Sequence, residues 1–361
     1  MQGGAQPEGL QRLHLRHRRP VHLTAAQRQP ADSGAPRYRR AARIAVGSRG
    51  WRSVSTLDEL RQRLPPWHDE TSSRAVDAAV GLARSHGLRV EEPTVLADVV
   101  SVVVHLRPAP VVARIPTHLT ELRQPIADWL RREIDVTTFL AGQGAPVITP
   151  SGELPPGPHE HDGFTISFWS YVEPDPDRTA STDDYAAMLV DLHSVLREYP
   201  GNLPLLAPVA NEVPLGLAAL DRARGVLTDS EIDQLRSAAD RLRPWWEAPS
   251  GDLQPLHGDV HTETLIHGRD GLVWCDFEDA CLGPREWDLS MLFWSDPEAV
   301  ARHHNPDPDR MRALSELRAL HLALSVVAFH TSVPHVDGWE EGVRVFLSTL
   351  GTDAGSVPAS G

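Results

Sequence analysis

Lysine is missing altogether: all 35 basic side chains are arginine, so no site in the chain can use a lysine ammonium. Cysteine is scarce. Cys275 and Cys281 lack the spacing of metal ligands, and so few thiols suit a reduced, cytoplasmic protein in which both simply pack. No apolar run approaches the roughly twenty residues of a membrane span, and there is no internal repeat. What remains is 361 residues, 41% hydrophobic and 23% charged, enough for one large or two ordinary domains with a sizeable core.

Charge is unevenly spread. Residues 1–52 hold eleven arginines against Glu8 and Asp32, and with the whole chain at −14 the rest, 53–361, carries −23. The basic stretch is rich in Gln, Pro and Gly with little apolar periodicity, and is expected to be a disordered tail or a start-site artefact. Its His14-Leu15-Arg16-His17-Arg18-Arg19 run could pass for a nucleic-acid patch, but no apolar core follows to make an export signal. The acidic body favours cationic small molecules and disfavours nucleic acid.

Chemistry concentrates in 256–279. The apolar runs Thr264-Leu265-Ile266 and Gly271-Leu272-Val273-Trp274 flank the turn-like His267-Gly268-Arg269-Asp270, which reads as a hairpin. Asp259 then precedes the first strand and Asp276 follows the second, so both carboxylates can converge at one end. One carboxylate near a hydroxyl can accept its proton and another can hold a divalent metal. This is the layout of a phosphoryl-transfer site.

At these residues the chain resembles the aminoglycoside phosphotransferase and choline kinase-like family, small-molecule relatives of protein kinases. The blocks are His257-Gly258-Asp259, then Thr264, Cys275-Asp276-Phe277-Glu278, and Gly283-Pro284-Arg285-Glu286-Trp287-Asp288-Leu289. Three blocks in this order make a far more specific signal than a lone glycine motif. The resemblance implies a two-lobed, protein-kinase-like α+β fold: a small mixed α/β N-lobe at 70–172, a larger mainly helical C-lobe at 173–350 with the catalytic hairpin at 256–279, and a frayed tail at 351–361. It implies Asp259 as the catalytic carboxylate and Asp276 as the magnesium ligand. Thr264 stands where the family has its metal-binding Asn, and is taken as a second, weaker ligand. His257 is read as structural, and Asp288 as an acceptor of hydrogen bonds from the catalytic-loop backbone. His261, Glu263, Glu278 and Asp279 are candidates for the substrate side, with a solvated acidic turn explaining the last two equally well.

Upstream, Ser72 or Ser73 is expected to cap a helix carrying Val76, Ala79, Val80 and Ala83 on one face and ending at Gly87. Strands follow at 95–96, 99–106 and 111–115. The family's phosphate-covering turn would be Ala97-Asp98-Val99-Val100-Ser101, which has no glycine and an Asp that could repel phosphate. Arg114 stands where the family's phosphate-binding lysine would be, with Glu133 on the next helix as its ion-pair partner. Arginine keeps the charge and can bind phosphate through two bonds, but it is longer and planar. Around Trp169 and Tyr171 the resemblance implies a hinge that binds adenine through backbone groups. In the C-lobe, Ser181 and Thr228 open helices, His193 is read as a core histidine, and 311–329 and 338–350 supply the last two helices.

The reading is an ATP-dependent, magnesium-assisted phosphotransferase acting on a hydroxyl of a small molecule of aminoglycoside, antibiotic or amino alcohol type. It is expected to be a monomer or homodimer, with no nucleic acid and no membrane among its partners. The alternative is a catalytically impaired, nucleotide-binding pseudokinase with a regulatory or scaffolding role, suggested by Thr264, Arg114 and the glycine-free turn.

Overall fold

The computed structural model describes residues 66–249, 251–333 and 338–351. The expected basic tail at 1–52 and nearly all of the tail at 351–361 lie outside the described residues. Helix α1 (Pro66–Ser85) lays Ala75, Ala78, Ala79, Leu82 and Ala83 against a sheet. These small side chains allow a close approach. The helix begins before Ser72, which is therefore no cap; its hydroxyl donates to Asp98 at 2.9 Å.

Strands β1 (Val90–Asp98), β2 (Ser101–Pro108) and β3 (Val111–Pro116) are followed by a 3-10 turn (Leu119–Glu121) and helix α2 (Ile126–Gly142). Strands β4 (His159–His161) and β5 (Phe164–Ser170) complete an antiparallel sheet ordered β1-β2-β3-β5-β4. β3 is central and buried at every position, which is why its sequence runs apolar without alternation except at Arg114. The β1–β2 turn is pinned from behind. Val100 accepts the amides of Thr117, His118 and Leu119 at 3.0–3.2 Å, and Asp98 is buried against Ser72 instead of facing a phosphate.

The second lobe is mainly helical: α3 (Thr182–Leu196), α4 (Ala207–Ala219), α5 (Asp229–Leu242), α6 (Pro244–Glu247), α7 (Glu286–Ser295), α8 (Pro297–His304), α9 (Pro308–Ser332) and α10 (Trp339–Leu347). Ser181 with Asp184 and Thr228 with Glu231 form the capping boxes read from the sequence. Helix α4, unassigned from the sequence, carries Pro208 in its first turn and Pro214 in its interior. It packs against α9 through Gly216, where a Cβ would come within 2.4 Å of the Leu324 carbonyl. Helix α9 itself buries Leu314, Leu317, Leu320, Leu324 and Val327 completely, each contributing about 1.5–3 kcal/mol of burial.

Two short ladders position the chemistry. β7 (Leu265–Gly268) and β8 (Gly271–Trp274) form the expected hairpin, pairing Leu265 with Trp274. β6 (Gln254–Leu256) pairs with β9 (Cys281–Gly283), so the chain before Asp259 and the chain after Asp276 are held side by side. Among the described residues no helix is long and apolar enough to cross a membrane.

Candidate active site

The loop between β6 and β7 is held by its backbone. Asp288, fully buried in α7, accepts the amides of His257 at 2.9 Å and Gly258 at 2.8 Å, and bonds His193 Nε2 at 2.8 Å. Trp287 Nε1 donates to the Gly258 carbonyl at 2.7 Å. Position 258 needs glycine on two counts: φ is +94°, and a Cβ would lie 1.9 Å from the Asp279 carbonyl. His257 Nδ1 accepts the Asp259 amide at 3.3 Å, so its proton is on Nε2, which donates to the Cys275 carbonyl at 2.9 Å. Burial lowers its pKa and keeps it neutral. The ring therefore ties the loop to the end of β8.

Asp259 is thereby presented at the loop surface, its side chain 31% exposed. Arg318 of α9 donates to Oδ1 at 3.1 Å, and His261 Nε2 lies 3.4 Å from Oδ2. Arg318 is itself fixed: its guanidinium lies 3.6 Å over the Trp287 ring and donates to the Gly258 carbonyl at 2.8 Å. Although burial acts to raise Asp259, His261 and Arg318 hold its carboxyl far below the usual range. Asp276 follows β8 with φ +64° and a side chain 47% exposed. Through His257, which bonds the Asp259 amide and the carbonyl of Cys275 next to Asp276, the two carboxylates are tied to one end of the hairpin.

Burial works to lower His261, but Asp259, Asp276 and Glu263 together raise it. A histidine raised in this way contributes stability that is full below its unfolded value of 6.5 and lost as pH rises through the raised value. The melting-temperature advantage of the wild type over His261→Gln should therefore narrow as pH climbs above 6.5. A gap that widens with pH contradicts this assignment.

Thr264 is fully buried, and its hydroxyl donates to the His261 carbonyl at 2.8 Å while accepting the His261 amide at 3.2 Å. It clasps the 3-10 turn Thr262–Thr264. The expectation of a metal ligand here is not met, because the short side chain turns its oxygen into the loop.

Glu278 and Asp279 do not form a solvated turn. Both are buried in a network with Arg114 and Arg123. Arg114 Nη1 donates to Glu133 at 2.8 Å and to Glu278 at 2.9 Å, while Nη2 holds the other Glu278 oxygen. The Arg114–Glu133 pair is as the resemblance implied, but the guanidinium is engaged by carboxylates and is not free for phosphate. Against the cost of burial, Arg114 and Arg123 hold Glu278 down at about 2. Arg123, from the segment before α2, donates to Glu212 of α4 at 3.0 Å and to Asp279 at 3.0 Å. Glu212 also bonds His321 Nε2 at 3.0 Å; burial opposes its ionisation, but Arg123 and His321 keep it at about 2.

One oxygen each of Glu133, Asp276 and Glu278 lies within 4.8 Å of the others, a spacing that suits a cation. Arg114 Nη1 already stands among them, at 2.8, 2.9 and 3.9 Å from Glu133, Glu278 and Asp276. Magnesium needs an octahedron of oxygens at roughly 2.0–2.1 Å. With Thr264 turned away and a guanidinium among the acids, these residues do not fit the ion that the resemblance implies.

At the expected hinge the side chains pack and one backbone amide is already engaged. Trp169 is a packing residue, buried with Val112 and Ile134, its Nε1 donating to Ser167 at 2.9 Å. The Tyr171 amide donates to Pro110 and its ring stacks on His105 at 3.7 Å, so this amide is not offered to a base. Glu263, in contrast, keeps a buried carboxylate oxygen with no hydrogen-bond partner among the described residues.

Arg123, Glu212, Arg318 and His321 were not anticipated. A signal existed for three of them. Arg318 and His321 interrupt the apolar pattern of α9, and Glu212 is a lone acid in an apolar run; polar groups in such places are buried with partners.

Residues 102–320 match the family model described as the phosphotransferase enzyme family. No curated protein sequence matches the chain. Among solved structures, the chain is similar to the GDP and kanamycin complex of APH(2")-IIia (16% identity, TM-score 0.56, covering 75% of this chain and 97% of that one). It is similar to the choline kinase LicA from Streptococcus pneumoniae (14% identity, TM-score 0.54, covering 75% and 99%). A third likeness is to the amicoumacin kinase hAmiN in complex with AMP-PNP, Ca2+ and Ami (13% identity, TM-score 0.56, covering 78% and 95%). At these identities the structures speak for the fold, while the family model covers more than half of the chain. With its two lobes and its Asp259–Asp276 hairpin, this chain belongs to the phosphotransferase enzyme family.

Proposed function

We propose that this protein is a cytoplasmic enzyme that transfers the terminal phosphoryl group of a nucleoside triphosphate to a hydroxyl of a small, cationic molecule. The carrying observation is Asp259, a half-exposed carboxylate fixed by Arg318 and His261 on a loop whose backbone Asp288 locks. A carboxylate held this rigidly can align an acceptor hydroxyl for in-line attack, and alignment supplies much of the catalysis in phosphoryl transfer. The GDP and AMP-PNP in the two structures above support a purine nucleotide as donor.

The acceptor class rests on charge. The chain is strongly acidic, and Glu263, beside His261, has a buried oxygen still without a partner among the described residues. The partly exposed Glu263 carboxylate can attract an ammonium carried near the reacting hydroxyl. Kanamycin and choline, in the names of the relatives, carry this chemistry. The scaffolding alternative draws no support from relatives named as kinases and phosphotransferases. The test is a mass-spectrometric screen of amino alcohols and aminoglycosides with ATP and GTP, run beside Asp259→Asn. A phosphorylated product formed by wild type alone is expected; no product and no nucleotide binding in calorimetry overturn the reading.

A further inference from the structure

The acidic cluster already has a cation. Glu133, Asp276 and Glu278 bring three carboxylates together, and the nearest positive charge is the guanidinium of Arg114, on the central strand β3. Its planar fork lets Nη1 bridge Glu133 and Glu278 while Nη2 reaches the second Glu278 oxygen. A lysine ammonium, a compact point charge, has no such fork with which to hold both acids. Arg123 adds a further guanidinium nitrogen 3.6 Å from Glu278. Glu278 is thus doubly compensated, and Asp276 alone of the three keeps a half-exposed side chain.

We propose that Arg114 is the resident cation of the Glu133–Asp276–Glu278 cluster, and that a divalent ion gains a place at Asp276 only when Arg114 gives up Glu278. The two cations exclude each other for a geometric reason. The ion must approach its carboxylate oxygens closely and bring several others into an octahedron, while Nη1 stands 2.8–3.9 Å from those same oxygens. A charge reason acts in the same direction, since a guanidinium at that distance repels the incoming ion in a desolvated setting. Because Arg114 belongs to the sheet and Glu278 to the segment after the hairpin, metal entry also loosens a contact between β3 and that segment. The inference rests on the phosphotransferase reading only for its use in catalysis; the competition itself is a property of these four side chains.

Manganese binding to the full chain without nucleotide reads this directly, by electron paramagnetic resonance of the free ion and by calorimetry. Arg114→Gln should acquire one Mn2+ site at least ~10-fold tighter than any in wild type, from removal of a repelling charge at contact distance. Adding Asp276→Asn should abolish the gained site. Arg114→Lys keeps the buried charge, and with it the fold, but releases one carboxylate, so it should gain affinity by a smaller factor. Wild type binding Mn2+ as tightly as these variants, or a gained site that survives Asp276→Asn, overturns the proposal. If a thermal melt shows Arg114→Gln unfolded, Arg114→Lys decides, and unchanged affinity in it overturns the proposal equally. No phosphoryl transfer is read, so a missing metal effect and a missing activity remain separate results.

Discussion

Asp259→Asn should lower turnover by about 10²–10⁴-fold while leaving nucleotide affinity near that of the wild type, with a lower melting temperature because the buried Arg318 loses its carboxylate partner. The exchange is isosteric, and the amide can still meet Arg318 or His261, so the loop held by Asp288 and Trp287 keeps its shape. What is lost is the negative charge that faces the acceptor. Arg318 and His261 hold Asp259 far below the usual carboxylate range, which makes it a weak base. On the proposed function it would act chiefly by aligning the hydroxyl, taking the proton late, once bonding to phosphorus has made the oxygen acidic. A loose, largely dissociative transition state permits this order. The same low pKa predicts that the acid limb of the kcat profile is not set by Asp259. Turnover of Asp259→Asn within about tenfold of the wild type, once an acceptor is known, contradicts the assignment.

The hairpin and the helix caps were legible in the sequence because they are local. Leu265 and Trp274 pair across a tight turn, and Ser181 and Thr228 sit three residues before their acidic partners. Thr264 was legible in principle as well: a threonine hydroxyl three residues past an extended residue competes for local backbone groups, and here it closes on His261. Reading it as a ligand followed the family pattern and passed over this nearer use. The partners of the acids were not legible. Arg114 and Glu278 are 164 residues apart and Arg123 and Asp279 are 156 apart, so only the docking of the strand segment onto the hairpin segment decides these pairs. The sequence showed acids after Asp276 and could not show that two arginines were waiting for them. Helix α4 was hidden for another reason: Pro208 suits a helix start, but Pro214 sits inside the helix, where proline normally breaks one.

Arg123→Met should be among the most destabilising single substitutions in the chain, by about 3–5 kcal/mol. Its side chain is almost fully buried and faces Glu212, Glu278 and Asp279, with its guanidinium 4.6 Å over the Trp129 ring. Methionine fills much of the volume, so the cost comes from acids left without their cation. Glu212 keeps His321 and Glu278 keeps Arg114, but Asp279 loses its ion-pair partner. Burial already pushes Asp279 up to about 8, with Asp259 and Glu278 adding to that and Arg123 opposing it. Without Arg123 the folded-state value of Asp279 rises further above its unfolded one, and that of Glu212 climbs from about 2 toward its unfolded one. Carboxyls raised in that direction favour the folded state while protonated and cost stability as pH rises past their unfolded values. The deficit of Arg123→Met should therefore grow as pH rises through about 8, where Asp279 ionises beside Arg123 in the wild type, and shrink as pH falls toward about 2, where Glu212 is protonated in both. Urea unfolding of both proteins across that range measures it. A deficit that is constant with pH would show that lost packing against Trp129, and not unpaired charge, accounts for the effect.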